Sequence, residues 1–124
     1  MARESGSVNP FLEAQIQIRQ RNGETIDCLI DTGFSGALVL PNAIVHKHNL
    51  TIVGRERFRL VGTQTLTADI ALVDINWLGK TQTVRAIVSD GTESLVGTEL
   101  LSGSRLVIDY KTTEVEITNQ ATSQ

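Results

Sequence analysis

The 124-residue sequence has little of several residue types, and each shortage excludes a class of protein. A single cysteine, Cys28, cannot form an internal disulfide, which argues against a disulfide-stabilised secreted scaffold. The net charge of -3 argues against a nucleic-acid-binding protein, which would usually be basic. No apolar run approaches the roughly 20 residues that a membrane-spanning helix needs. The N-terminus, MARESGSVNP, lacks the apolar stretch of a signal peptide, so we expect a cytoplasmic protein with no membrane partner.

What remains is the composition of an ordinary globular domain. Apolar residues make up 40% of the chain and charged residues 20%, a balance typical of soluble folded proteins. The length suits one domain with a real core, but not two comparable lobes. Because the chain has only three Phe, one Trp and one Tyr, its core must consist mainly of Ile, Leu and Val.

Alternating apolar and polar residues predict many short strands. Leu12, Ala14, Ile16 and Ile18 point one way and the residues between them the other, as in a half-buried strand. The Asn-Gly pair at 22–23 suits a two-residue hairpin turn, in which both central positions need positive φ. A second strand of this hairpin then leads towards residue 31.

The rest of the chain continues the β pattern. Strand-like runs occupy much of residues 56–89 and 105–118, with turn residues between them. Residues 41–49 are the best helix candidate, and about one helical turn is expected before Gly103. We therefore predict an all-β fold, a barrel or sandwich of short strands, with one or two short helices.

The domain organisation is expected to be simple. Residues 1–10 are polar and contain Gly6 and Pro10, which predicts a flexible N-terminal arm. Residues 11–118 form the single domain, and residues 119–124 form a polar tail.

One feature is more informative about function than the composition is, the tripeptide Asp31-Thr32-Gly33. Any given tripeptide occurs by chance in roughly a few per cent of chains of this length. Its context adds weight, because an apolar run leads into the acid and a second one, ALVL, leads away from it. A carboxylate in an ordinary surface turn needs no such setting, whereas a carboxylate that does chemistry does.

The order of these elements resembles the retropepsin-like (retroviral-type) aspartic proteases, in particular their small prokaryotic single-lobe members. A glycine-containing hairpin at 62–65 stands where that family has its flap. Leu95-Val96-Gly97 stands where the family has an apolar-apolar-Gly segment before its C-terminal helix. The resemblance covers roughly residues 12–118 and implies a closed barrel of short strands. It also implies an aspartic endopeptidase that needs no metal and no organic cofactor.

The chemistry of such an enzyme requires two acids. One group must take a proton from water while another gives a proton to the substrate, and two carboxylates that share one proton can do both. The sequence contains only one Asp-Thr/Ser-Gly. A two-fold homodimer would place Asp31 opposite Asp31 of a second copy, so we expect a homodimer with one shared active site.

The resemblance also assigns a role to each residue of the motif. Asp31 would act as the acid and base, and the Thr32 hydroxyl would hydrogen-bond across the two-fold axis. Gly33 would let the backbone approach the carboxylate, since no side chain stands in the way. An extended peptide would pair with the main chain of the enzyme, as in strand addition. The expected substrate-contacting residues are Phe34, Ser35, Gly62, Thr63, Leu95 and Val96.

Three positions depart from the family pattern. Phe34 stands where many relatives carry a small residue, which would reshape the neighbouring pocket. Thr98 stands where retroviral enzymes usually have Arg, so an ion pair that supports their dimer would be missing. The glycine-rich flap is reduced to Gly62. These departures concern substrate preference and dimer strength rather than the fold.

Plainer interpretations exist for several of these residues. The Asp-Thr-Gly tripeptide could be an ordinary turn between strands, and residues 62–63 simply a hairpin tip. His46 and His48 lie two positions apart on the predicted helix, which favours a solvated face over a shared metal. Cys28 is interpreted as a small buried apolar residue rather than a nucleophile.

The leading hypothesis is a homodimeric aspartic endopeptidase acting on extended peptides. The alternative is a non-catalytic dimerisation or peptide-binding module of the same fold, because a fold alone does not fix function. A third possibility is a monomeric β barrel that binds a small ligand. Replacement of Asp31 separates the first two, and the mass in solution separates the third.

Overall fold

The structure, a computed structural model, describes residues 2–59 and 62–119. Within these ranges the chain forms ten strands and two short helices. The elements in chain order are β1 (Arg3–Val8), β2 (Ala14–Gln20), β3 (Thr25–Ile30), β4 (Leu38–Pro41), α1 (Asn42–Lys47), β5 (Thr51–Arg59), β6 (Thr65–Trp77), β7 (Lys80–Ser89), β8 (Leu95–Val96), α2 (Thr98–Leu101), β9 (Arg105–Asp109) and β10 (Glu114–Thr118). None of the helices in the described part of the chain is long and apolar enough to cross a membrane.

The strands pair into one sheet that curls on itself. Its order is β5-β6-β7-β4-β8-β3-β2-β1-β10-β9, and β6 pairs in addition with β2. That extra pairing joins β2, β3, β8, β4, β7 and β6 into a ring. Strand β5 extends from the ring on one side, and β1, β10 and β9 extend on the other. The prediction of an all-β fold with short helices is confirmed, and the sheet is ring-like.

The longest strand, β6, changes partners along its length. Its first half, from Thr65 to Leu72, pairs with β5. Beyond that point Ile75 and Asn76 pair with the end of β2, while β7 lies along the other side from Ile70 onward. Strand β6 therefore closes the ring at one end and carries a hairpin beyond it at the other.

The side chains at every second position of the strands point inward and fill the interior of the ring. In β2 and β6 the inward residues Ile16, Ile18, Val73 and Ile75 are almost wholly buried. Leu40 joins them from β4. Burial of each such aliphatic side chain contributes roughly 1.5–3 kcal/mol relative to exposure, which explains why few aromatic residues suffice for this core.

The predicted hairpins and helices are present with adjusted limits. The β2–β3 hairpin turns through Gly23, whose φ is +94°. Leu12 was expected in the first strand but lies outside it, since β2 begins at Ala14 and the Leu12 side chain is exposed. The helix predicted at 41–49 is the shorter α1, and α2 is the expected turn before Gly103, whose φ is +80°.

The prediction of a flexible arm at residues 1–10 is wrong for most of that segment. Arg3–Val8 forms β1, which is inserted between β2 and β10. Its backbone supplies the pairing, while Val8 is its one buried apolar side chain. A strand held mainly by main-chain hydrogen bonds leaves no apolar alternation in the sequence, and the polar composition was therefore misleading.

The prediction of a polar tail at 119–124 is wrong for its first residue, because the Asn119 side chain is hydrogen-bonded to the folded domain. The Asn119 side chain accepts a hydrogen bond from the Ala2 N–H at 2.8 Å, and its own amide donates to the Leu78 carbonyl at 3.4 Å. Asn119 thus joins the two ends of the chain to the β6–β7 turn. Residues 120–124 of the predicted tail lie outside the described residues.

The close packing of β1 on β2 yields a first prediction. A Cβ atom at Gly6 would lie 1.9 Å from the Gln15 carbonyl oxygen, whereas a Cβ atom at Gly54 would meet nothing within 4 Å. We expect Gly6→Ala to lower the free energy of unfolding by about 1–3 kcal/mol, because β1 must move away from β2. The matched Gly54→Ala change should alter it by less than about 0.5 kcal/mol. Denaturant unfolding of the two variants measures both values, and equal stabilities would contradict the observed position of β1.

Candidate active site

The Asp31 loop is a tight turn at the end of β3. The Phe34 N–H donates to the Asp31 carbonyl at 3.1 Å, and the Gly33 N–H donates to Asp31 Oδ1 at 2.9 Å. The side chain of the acid thus caps the turn that it opens. A Cβ atom at Gly33 would stand only 3.3 Å from that carboxylate oxygen, so a side chain at this position would crowd the turn.

A segment from the C-terminal half of the chain braces this loop. Strand β8 runs parallel to the end of β3 and antiparallel to the start of β4. The Asp31 N–H donates to the Val96 carbonyl at 2.9 Å. The Gly97 N–H donates to the Ala37 carbonyl at 2.9 Å, and the Thr98 N–H donates to the Phe34 carbonyl at 2.8 Å. Both arms of the loop are therefore held by main-chain hydrogen bonds.

Two glycines allow the loop and its brace to meet. A Cβ atom at Gly97 would lie 2.2 Å from the Gly36 carbonyl oxygen and 2.4 Å from the Phe34 ring. A Cβ atom at Gly36 would lie 2.5 Å from the same ring. The aromatic side chain of Phe34 therefore packs onto bare backbone at both positions. Gly97, the glycine of the Leu-Val-Gly element, lets its segment approach the Asp31 loop closely, since no larger residue fits between them.

The Asp31 carboxylate lies beside an open groove of about 390 Å³. Asp31 is half-buried and Thr32 is exposed. Two further carboxylates reach the same groove, and Glu13 is hydrogen-bonded to the Asn9 side chain at 3.1 Å. The lining residues are Leu12, Glu13, Ala14, Leu29, Ile30, Asp31, Thr32, Glu93, Leu95, Ile108 and Tyr110.

The structure brings some of the expected substrate-contacting residues to the groove and not others. Leu95 lines it, as the alternation in β8 requires. Val96 points the opposite way and is 0% exposed, so the prediction that its side chain contacts a substrate is wrong. Phe34 is not part of the groove lining, because its ring covers the two glycines instead. Ser35 is exposed in the loop and likewise lies outside the lining.

The other two residues that were expected to contact a substrate, Gly62 and Thr63, lie at the tip of the β5–β6 hairpin. Gly62, with φ of +84°, and Thr63 form an exposed turn there. The hairpin itself is confirmed, with Arg59 opposite Thr65. Neither turn residue lines the groove beside Asp31 within this single chain.

The sequence analysis did not predict the groove wall that is formed by β9 and by Tyr110, the residue that follows it. Ile108 and Tyr110 reach the same space as Asp31 although they lie far from it in the chain. Tyr110 is 59% exposed. Only the position of β9 in the sheet reveals this proximity, since neither residue belongs to a recognisable motif.

Cys28, three residues before Asp31, is not poised for nucleophilic chemistry. Its side chain is 3% exposed. Burial, reinforced by the negative charge of Asp27, raises the pKa of the Cys28 thiol to about 12. A thiol that stays protonated at neutral pH is a poor nucleophile, which agrees with its interpretation as a core residue.

The His48 side chain is not on a solvated helix face, and that expectation is wrong. It is 7% exposed, and its Nδ1 lies 3.0 Å from Gln20 Nε2 and 3.1 Å from Glu24 Oε1. The hydrogen bond with His48, together with a smaller contribution from Asn22, lowers the pKa of the Glu24 carboxyl. His48 therefore fastens the end of α1 to the β2–β3 hairpin.

Comparison with solved structures identifies the fold. The chain superposes on a retropepsin-like aspartic protease from Rickettsia conorii with a TM-score of 0.67 and 19% identity, covering 93% of this chain and 89% of that one. The equine infectious anaemia virus (EIAV) protease, solved with the inhibitor HBY-793, gives 0.54 and 23%, covering 80% and 96%. The simian foamy virus protease gives 0.51 and 9%, covering 70% and 90%. Neither the known protein-family models nor the curated protein sequences give a match.

These similarities define the class of structure. Identities below 25% support the fold rather than the activity, so the chain has the retropepsin-like aspartic protease fold. The resemblance seen in the sequence is confirmed at this level.

The burial of Cys28 yields a second prediction. At pH 7.5 an alkylating reagent should modify the native protein roughly a thousandfold more slowly than the denatured chain, because a pKa of about 12 leaves very little thiolate. Mass spectrometry of quenched samples measures both rates. Rapid labelling of the native protein would show that Cys28 is reachable and would reopen a cysteine-based mechanism.

Proposed function

We propose that the chain is an aspartic endopeptidase whose active site is completed by Asp31 of a second copy. The observation that carries the proposal is the braced Asp31 turn beside an open groove, within a retropepsin-like fold. The backbone bonds to Val96 and Gly33 fix the carboxylate in position before substrate arrives. Such preorganisation is what a catalytic acid needs.

The groove suits an extended peptide. Apolar side chains of Leu12, Leu95 and Ile108 line it and offer places for substrate side chains. Thr32 is exposed next to the acid, as expected for a residue that contacts the second copy. The tip at Gly62 and Thr63 belongs to a long hairpin, and we propose that it covers the substrate bound at the shared site.

In the proposed reaction a water molecule lies between the two Asp31 carboxylates. The ionised carboxylate takes a proton from this water, which attacks the scissile carbonyl carbon. The protonated carboxylic acid gives its proton to the carbonyl oxygen, which yields a tetrahedral gem-diol. The carboxyl that took the water proton then passes it to the amide nitrogen, while the other carboxylate takes a proton back from a gem-diol hydroxyl. The C–N bond breaks, the amine and the new carboxylic acid leave, and the pair again holds one proton. Because the pair shares one proton, its two apparent pKa values belong to the dyad and not to either residue.

The catalytic role of Asp31 yields a third prediction. Asp31→Asn should lower kcat/KM for a cleavable peptide by at least about a thousandfold, because neither proton transfer can then occur. The matched control is Asp27→Asn, which removes an exposed carboxylate from the preceding strand, β3, and should leave cleavage unchanged. A peptide-library assay from pH 4 to 7.5 locates substrates and the working range.

Three outcomes would contradict this assignment. Cleavage that survives Asp31→Asn would place the chemistry elsewhere. An equal loss in Glu93→Gln, at kcat rather than KM, would point to a pair within one chain, since Glu93 lines the same groove. A folded protein that binds peptides but cleaves none at any pH would be the non-catalytic module of the same fold.

The sharing of one site between two copies yields a fourth prediction. When wild type and Asp31→Asn subunits are mixed in equal amounts and allowed to exchange, only about one quarter of the dimers keep two aspartates. Activity should fall to about that fraction, and not to one half. A fall to one half would indicate independent sites, each complete within its own chain.

A further inference from the structure

The two faces of the β5–β6 hairpin differ in chemistry. Ala68 and Ile70 of β6 are 7% and 2% exposed, so the face on which they lie is turned towards the core. The residues of β6 that alternate with these two pair with three exposed residues of β5, Arg55, Arg57 and Arg59. Because paired residues share a face of the sheet, these three form one basic surface on the outer side, called the arginine face below.

Much of the positive charge on the arginine face has no acidic partner among the described residues. Arg55 Nε lies 3.2 Å from Asp69 Oδ1, directly across the strand pair. Arg57 and Arg59, by contrast, take part in none of the ion pairs of residues 2–59 and 62–119. The residues opposite them in β6 are threonines, which carry no charge. In a chain with a net charge of -3, this is a local excess of positive charge.

The arginine face lies at an edge of the sheet. Among the strands of the described chain, β5 pairs only with β6, so the main-chain N–H and C=O groups along its other side meet no strand. Residues Gly54–Arg59 keep an unbroken register with β6, and the one shift lies before them. A regular edge of this kind can accept a further strand. The accessible edge and the arginines thus occupy the same six residues.

The arginines determine which strand can join this edge. A second β5, antiparallel and centred on Arg57, would set arginine against arginine, and like charges directly opposite each other destabilise pairing. A strand with a carboxylate at every second position would instead place one beside each arginine, since paired strands lie about 4.8 Å apart. The repeat of two residues is the same in both strands, so several ion pairs form together.

The chemistry of this edge suits a peptide better than a nucleic acid. Single strands of nucleic acid are bound by positive charge together with aromatic side chains on which the bases stack. Among the described residues of the hairpin, the aromatic Phe58 lies on the core-facing side, between two of the arginines in sequence. The C=O groups of the edge also require N–H donors, which a phosphate backbone lacks and a peptide supplies.

We propose that the outer edge of β5 binds an extended acidic peptide, which adds to the sheet as a strand and sets its carboxylates against Arg57 and Arg59. This surface is separate from the candidate active site, because none of residues Gly54–Arg59 lines the groove beside Asp31. The occupant is an acidic segment of another protein. Its binding involves no bond cleavage, so it does not depend on the proposed endopeptidase activity.

A labelled peptide tests the need for the arginines. The probe is a short fluorescent peptide that alternates glutamate with threonine, and fluorescence anisotropy at low salt measures its Kd. Arg57→Gln combined with Arg59→Gln should raise the Kd at least about fivefold, because two ion pairs are lost. The matched control is Arg19→Gln combined with Arg21→Gln. It removes the same charge from exposed arginines at and beyond the end of β2, where Arg19 has strands on both sides, and should change the Kd less than about twofold.

Backbone pairing is tested separately from charge. The same peptide with N-methylated central residues keeps its carboxylates but lacks main-chain donors, so it should bind at least about tenfold more weakly. Amide hydrogen exchange followed by NMR locates the bound peptide. The glutamate–threonine peptide should slow the exchange of β5 amides and leave those of β9, the other edge strand of the described chain, unchanged. Thermal melts confirm that each variant is folded.

Several results would overturn the docking site. These are equal Kd values for wild type and the Arg57–Arg59 double variant, equal binding of the N-methylated peptide, or slowed exchange at β9 instead of β5. A single-stranded oligonucleotide that displaces the peptide at lower concentration would assign the arginine face to nucleic acid.

The docking site and the proposed function can fail independently. Asp31→Asn should bind the probe as wild type does, because Asp31 lies outside the arginine face, and a loss of binding in this folded variant would contradict a separate site. A protein that binds the probe through β5 but cleaves no peptide would uphold the docking site while the proposed function fails.

Discussion

The structure depends on the hydrogen bonds between the Asp31 loop and the segment from β8 to the start of α2. These bonds join parts of the chain that lie sixty or more residues apart, so they form only when β8 is in place between β3 and β4. Main-chain groups left unpaired in such a place would each cost about 1–3 kcal/mol. The backbone that carries the Asp31 carboxylate is consequently held by segments distant in the chain.

This constraint explains why glycine is needed at positions that are not turns. Gly97 has an extended backbone, yet nothing larger fits between the Gly36 carbonyl and the Phe34 ring. In the sequence Phe34 departs from the family pattern, and in the structure its ring fills the space that the two glycines leave. The departure is thus accommodated within the chain, away from the groove.

Much of the fold could be predicted from the sequence, and the failures have physical reasons. The alternation in β2, the Asn-Gly hairpin and the Asp-Thr-Gly loop are local signals, and the structure contains all three elements. Strand β1 was missed because main-chain pairing leaves no apolar pattern. The burial of Val96 and His48, and the approach of Ile108 to the groove, depend on neighbours distant in the chain, which no local pattern reports.

The change of partners along β6 gives the two ends of that strand different mechanical properties. Between Ile70 and Trp77 the strand has neighbours on both sides for most of its length, and its inward residues are buried. From Thr65 to Asp69 it pairs with β5 alone, and most side chains of that hairpin are exposed. The outer hairpin therefore projects beyond the ring, and only its base is held by strands on both sides. Its backbone amides should exchange with solvent long before those of the ring, and it can change its angle without disturbing the Asp31 loop.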